Sequence, residues 1–145
     1  MLGVGPAGGR RLALPPGGVD APAVLEHVRG ITQRLRQAGC FASWMVVSEN
    51  EVVGLCGYHR PPENGRIEIG YGVAESRRGR GHATRAVAAM LQAAEADPNV
   101  QVVVAETSVS NPASARVLEK NGFVQTGNRF DAEDGEVVTW QKSVN

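Results

Sequence analysis

Arg77-Arg78-Gly79-Arg80-Gly81-His82-Ala83-Thr84 sets arginines and glycines in one loop, between the apolar run Ile67 to Val73 and an amphipathic stretch. Glycine lets a backbone come close to a ligand, and a helix start adds outward N–H groups and the positive end of its dipole. Arginine forks supply charge-assisted donors. The chemistry implied is phosphate or pyrophosphate binding. Spacing excludes two nucleotide loops: the chain has no Gly-Lys pair for a P-loop, and Thr84 stands where a dinucleotide fingerprint needs its third glycine.

Two carboxylates could handle protons. Glu106 ends the apolar run Val100 to Ala105, five residues before Asn111. Glu68 alternates with Ile67 and Ile69 and so faces away from their side of a strand. Desolvation in a cleft raises the basicity of such a group; pairing with an arginine is the competing reading for Glu106.

The string Arg78-Gly79-Arg80-Gly81-His82-Ala83 has the form Arg/Gln-x-x-Gly-x-Gly/Ala, and resembles the acetyl-CoA loop of the GNAT superfamily of N-acetyltransferases. Glu106 followed by Asn111-Pro112-Ala113-Ser114 and Leu118-Glu119-Lys120-Asn121-Gly122-Phe123 resembles that superfamily's other signature, in the same order and separation. The two motifs span residues 67–123, and their wording is most similar to the RimJ/RimL-type branch, named for ribosomal-protein N-terminal acetyltransferases.

The resemblance implies an α+β fold, a mixed and mostly antiparallel sheet flanked by helices, in one domain over residues 1–145. It implies a cytoplasmic acyltransferase that moves acetyl from acetyl-CoA directly to a primary amine, a protein N-terminus or a small molecule, in a ternary complex. No cysteine is placed as a covalent nucleophile. Arg78, Gly79, Arg80, Gly81, His82, Ala83 and Thr84 would hold the pyrophosphate. Gly72 and Val73 would pair their backbone with the pantetheine arm, and the Val73 N–H would polarise the thioester carbonyl. Asn111 would bond the arm while capping its helix. Glu106 is the favoured base and Glu68 its rival. Many members carry a Tyr as general acid where this chain has Leu118. The resemblance gives Ser114 that role, and closure of the helix cap is its competing reading. The alternative to an enzyme is a non-catalytic CoA-binding member of the fold.

The elements that must position these groups follow from local pattern. Residues 1–9 are rich in Gly and Pro and read as flexible. Arg10 to Leu14 is a candidate first strand. Asp20 is placed to cap a helix carrying Val24, Val28, Ile31 and Leu35, ended by Gly39. Trp44 to Ser48 and Val52 to Tyr58 form a hairpin, followed by Ile67 to Val73. The helix after the loop bears Ala83, Val87, Met90, Leu91 and Ala94 on one face and stops at Asp97-Pro98. Val100 to Thr107 reads as a mainly apolar strand, hence central in a sheet. Asn111 and Pro112 open the next helix, Gly122 closes it, and Val124 to Phe130 with Val137 to Trp140 make a last hairpin. One helix is legible before Trp44, where the superfamily usually has two that help form the acceptor site.

Composition narrows the partners. With 15 basic and 15 acidic residues, no net field attracts nucleic acid or a membrane surface. No apolar run has the length of a membrane span, and no signal peptide is legible. Cys40 and Cys56 read as free thiols, and three scattered histidines make no zinc site. Trp44 and Trp140 read as core or rim aromatics. Tyr58 and His59 precede a Pro-rich turn and could line an acceptor cleft. The spacing is compatible with a monomer or a homodimer.

Overall fold

A computed structural model describes residues 2–3 and 12–145. Seven strands form one sheet in the order β1-β2-β3-β4-β5-β7-β6. They are β1 Leu2–Gly3, β2 Ser43–Ser48, β3 Glu51–Tyr58, β4 Arg66–Val73, β5 Val102–Ser108, β6 Val124–Asp131 and β7 Gly135–Ser143. The helices are α1 Pro22–Gln37, α2 His82–Glu95 and α3 Pro112–Lys120. Every strand pair is antiparallel except β4 with β5. This is the mixed sheet and helix order expected from the sequence.

β2 and β3 join through Glu49 and Asn50, both at positive φ (49° and 62°), the backbone of a two-residue turn whose twist matches its strands. The candidate strand Arg10 to Leu14 reduces, among the described residues, to one parallel bridge between Ala13 and Glu51; Arg10 and Arg11 lie outside them. Of residues 1–9, expected to be flexible, Leu2 and Gly3 pair with Val46 and Met45, and the others lie outside the described residues.

Asp20 falls one residue short of its expected place. Ala21 is the N-cap of α1, and the Asp20 carboxylate instead accepts the Ala21 N–H at 2.7 Å. Pro22 sets the first helical φ without needing a donor, so the helix starts without a side-chain cap. Asn111 does cap α3, accepting the Ser114 N–H at 3.2 Å.

α2 and α3 cover the sheet face that carries Ile67, Ile69, Val103 and Ala105, and bury Val87, Met90, Leu91 and Leu118 against it. Trp140 lies in the same core with its indole N–H donated to the Thr107 hydroxyl at 2.9 Å, so the aromatic is buried with its polar atom satisfied. α1 lies over the opposite face, tied to β2 by a 2.9 Å bond between the Thr32 and Ser43 hydroxyls. Its spaced apolar residues work unevenly: Leu35 is buried, while Val24 stays 43% exposed over the cleft described next. No helix among the described residues is long and apolar enough to cross a membrane.

Candidate active site

Parallel pairing of β4 with β5 is confined to Arg66–Val102, Ile67–Val103 and Glu68–Val104. Beyond Glu68, β4 continues to Val73 and β5 to Ser108 without pairing with each other. β5 is held by β7 all the way to Ser108, and β4 by β3 to Val73. Each strand follows its outer neighbour, and a wedge opens between them. His59 donates its N–H to the Glu68 carbonyl, and Ala74 donates to Val53. Antiparallel alternation therefore bonds the even-numbered residues of β4 to β3 and turns the N–H and C=O groups of Ile69, Tyr71 and Val73 into the wedge. These groups have the pattern needed by an extended amide chain. Gly72 departs from its expected role: its backbone is directed at Leu55 across the ladder. A Cβ there would make only an ordinary 3.7 Å contact with the Asp20 carboxylate.

At the mouth of the wedge, a single 3₁₀ turn (Glu75–Arg77) leads to Arg78, Gly79, Arg80 and Gly81. Both glycines have φ of +80°, a conformation glycine takes without Cβ strain. Space before Gly79 is open, whereas a Cβ on Gly81 would come within 2.7 Å of the Arg85 guanidinium. Gly81 is the N-cap of α2 and has no side chain to bond its first N–H groups, which His82, Ala83 and Thr84 bring to the loop. Arg78 bends back to the Val73 carbonyl at 3.3 Å. Arg77 instead braces the loop, bonding the Glu51 carboxylate at 2.6 and 3.1 Å.

Arg85 escaped the sequence reading although it directly follows Thr84, because it lies inside the helix and outside the motif. Its guanidinium donates to the Arg80 carbonyl at 3.0 Å and lies 3.0 Å from His82 Nδ1. Burial, and then the charges of Arg85 and other loop arginines, push the His82 pKa down. A neutral imidazole thus accepts from Arg85 and fixes the cation over the loop.

A cleft of about 300 Å³ runs from the wedge across the α1 face of the sheet. Its floor is nearly bare, because Gly57, Gly70 and Gly72 contribute only backbone; Val24, Val28 and Ile31 of α1 form its roof. Glu106 lies in this cleft, and Glu68 shares its face of the sheet. Both carboxylates are engaged. Arg129 binds Glu106 through two bonds of 2.6 Å, a fork that holds the guanidinium pKa above its ordinary value. Glu68 accepts from His59 Nδ1 at 2.9 Å and lies 3.1 Å from Arg60. The His59 bond is the main cause of its lowered pKa.

Ser114 reaches the cleft from the α3 side of the wedge. Its backbone N–H serves the Asn111 cap, which leaves the hydroxyl for a 2.9 Å bond with the Tyr71 hydroxyl. Tyr71 was not singled out from sequence, yet alternation with Ile69 places it on this face. Burial pushes its pKa up, so it keeps its proton at neutral pH. Leu118, where many superfamily members carry Tyr, is wholly buried in the core. Asn111 uses its side-chain oxygen in the cap.

Cys56 lines the cleft, but burial pushes its thiol up to about 12. It is no thiolate nucleophile at neutral pH. Cys40 is likewise a free thiol. Trp44 packs edge-on against Tyr58 at 5.9 Å between ring centroids.

Residues 15–124 match the family described as "Acetyltransferase (GNAT) domain". The chain belongs to the GNAT acetyltransferase family. Its GNAT relatives include the ribosomal-protein-serine acetyltransferase of Escherichia coli, 32% identical over 100 residues, covering 68% of this chain and 56% of that protein. An uncharacterised N-acetyltransferase of Bacillus subtilis, YjdG, is 34% identical, covering 58% of this chain and 52% of its own. The chain thus spans just over half the length of these relatives. The GNAT fold recurs in the coenzyme A complex of RimL, a ribosomal L7/L12 α-N-protein acetyltransferase, at TM-score 0.70 and 22% identity over 93% of this chain and 79% of that one. It recurs also in aminoglycoside acetyltransferase AAC(6')-Ib with coenzyme A, at TM-score 0.61 and 23% identity over 70% of this chain and 65% of that one. The first and third of these lie in the ribosomal-protein branch that the Asn-Pro-Ala-Ser wording resembles.

Proposed function

We propose that this chain transfers acetyl from acetyl-CoA to a primary amine by direct attack in a ternary complex. The observation that carries the reading is the wedge between β4 and β5, with backbone groups of β4 that β5 does not pair leading to the glycine loop at the start of α2. A pantetheine arm laid along β4 would meet the N–H and C=O groups of Tyr71 and Val73. The pyrophosphate would lie against the N–H groups that His82, Ala83 and Thr84 bring to the loop, with Arg78 and Arg80 beside it. The Val73 N–H would polarise the thioester carbonyl.

On the acceptor side, Glu68 and Glu106 lie on the cleft's face of the sheet already paired with Arg60 and Arg129, so the site suits a neutral amine. The apolar roof of α1 suits a short aliphatic neighbour of the amine, as a protein N-terminus or a small-molecule amine would present. On the leaving-group side, Ser114 would protonate the thiolate, with Tyr71 as its proton source.

Release of free thiol from acetyl-CoA, followed across serine- and alanine-initiated peptides, spermidine and an aminoglycoside, tests the reading. Turnover with at least one amine is expected, together with thermal stabilisation by CoA. Stabilisation without turnover would leave only a CoA-binding module. No stabilisation would remove the cofactor assignment.

Ser114→Ala is expected to lower kcat roughly tenfold, less than the hundredfold usual for losing a general acid, because a thiol of pKa about 8.5 already leaves tolerably. Its Tm should stay near that of wild type, since the Asn111 cap uses the Ser114 backbone. A kcat equal to wild type would refute the role.

A further inference from the structure

We propose that His59 is the group that takes the proton from the acceptor amine, and that Glu68 is its positioning residue. The inference rests on the acetyl-transfer reading above and names the proton acceptor in it. His59 follows the last residue of β3, and its backbone extends the ladder by donating to the Glu68 carbonyl at 2.8 Å. Its side chain pairs with the same residue: Nδ1 lies 2.9 Å from Glu68 Oε2. The carboxylate accepts the Nδ1–H bond and leaves Nε2 with its lone pair, on the edge of the ring that faces Gly70. Arg60, 3.1 Å from the other Glu68 oxygen, fixes the carboxylate from its far side.

Nε2 makes no hydrogen bond to any described residue, and it lies over Gly70 so closely that a Cβ there would collide with it. Gly70 and Gly72 share the cleft floor, two residues apart on β4. Two residues of strand span about 6.6 Å. An amine nitrogen within hydrogen-bond reach of a base and at near-attack distance from a carbonyl needs about 6 Å between those two partners. The imidazole therefore stands where an amine over the bare strip between Gly70 and Gly72 would meet it, with the thioester carbonyl at Val73.

The other groups of the cleft are poorer acceptors. Glu106 is closed by the Arg129 fork, and Glu68 is bonded to His59 and Arg60. Burial holds Tyr71 and Cys56 protonated. His27, on α1, is the second imidazole of the cleft, and no carboxylate among the described residues orients it. The charged and titratable groups around His59 are thus Glu68 and Arg60 from its own hairpin, Asp20 from the segment before α1, His27 from α1, and Glu106 from β5.

The step balances simply. The amine lone pair forms the C–N bond at the carbonyl carbon, and His59 Nε2 removes the N–H proton. Collapse of the oxyanion breaks the C–S bond, and the thiolate takes a proton from Ser114, resupplied through Tyr71 from water. The imidazolium, held by Glu68, returns its proton to solvent. One proton leaves nitrogen and one reaches sulfur.

The test measures thiol release from acetyl-CoA with whichever of the four amines above wild type uses best, alongside CoA affinity. His59→Gln should lower kcat at least a hundredfold with CoA affinity unchanged, and should abolish the acid limb of the pH–kcat/KM profile. Added imidazole should restore part of the activity of His59→Ala, which a structural role would not allow. Glu68→Gln should keep the acid limb while lowering kcat, because the imidazole remains but loses the carboxylate that orients it. Gly70→Ala should mimic His59→Gln by displacing the ring. Turnover of His59→Gln within threefold of wild type, or loss of the acid limb in His27→Gln instead, overturns this assignment and leaves acetyl transfer standing. Absence of turnover by wild type with every amine overturns both.

Discussion

Gly81→Glu is expected to raise the Kd for CoA at least a hundredfold, about 2.7 kcal/mol, while the protein remains folded. Three effects converge at this position. The backbone lies at φ +80°, where any L side chain costs about 1–2 kcal/mol. The new Cβ would stand 2.7 Å from Arg85 Nη1 and push that cation off the Arg80 carbonyl. The carboxylate would then occupy the start of α2, repelling the pyrophosphate it replaces. The first costs stability without unfolding the chain, the second is absorbed by the flexible, exposed Arg85 side chain, and the third is specific to the ligand. A ligand at a hundred times its Kd stabilises by about 2.7 kcal/mol, and that CoA-dependent rise in Tm should vanish in the variant. Gly79→Ala is the control. It has the same φ but open space before it, so it should lose about 1–2 kcal/mol of stability and still bind CoA. An unchanged CoA-induced Tm shift in Gly81→Glu would refute the loop's role.

Gly54→Ala is expected to destabilise the protein by about 3 kcal/mol and to weaken CoA binding at the same time. Gly54 faces Val73 across the β3–β4 ladder. Its missing Cβ would collide with the Gly72 carbonyl oxygen and lie 3.2 Å from the Val73 Cα. These are backbone atoms in a buried stretch of sheet and cannot swing aside as a side chain would. The strand itself must move, and it is the strand whose N–H groups line the wedge. Urea denaturation would read the stability loss and calorimetry the CoA affinity. A variant with wild-type stability would show that β3 and β4 tolerate separation here. A destabilised variant with undiminished CoA affinity would detach the wedge from the binding site.

Much of this was legible along the chain because local rules act locally. Period-2 and period-3.6 patterns placed the strands and helices, and the Asn111-Pro112 pair marked the start of α3 to the residue. The two misplacements are local as well. Asp20 looked like a cap, yet Pro22 sets the first helical turn and moves the boundary past it. Arg10 to Leu14 had strand-forming residues but supplies, where described, only one bridge at Ala13.

The partners of the chemically active side chains were not legible, since each comes from a distant part of the chain. Glu106 meets Arg129 only because β7 and β6 bring that arginine to the same face. His59 and Glu68 become a pair through the register of one hairpin. Tyr71 reaches Ser114 across 43 residues.

The order and spacing of residues by themselves determined the succession of strands and helices and the glycine and arginine loop opening α2, because turn chemistry and hydrophobic period depend on neighbours within a few residues; the family was legible only through the resemblance of two motifs. Tertiary structure decided what each carboxylate, imidazole and hydroxyl is bonded to. Hydrogen bonds and ion pairs act over about 3 Å, and only the folded sheet brings residues from different strands that close.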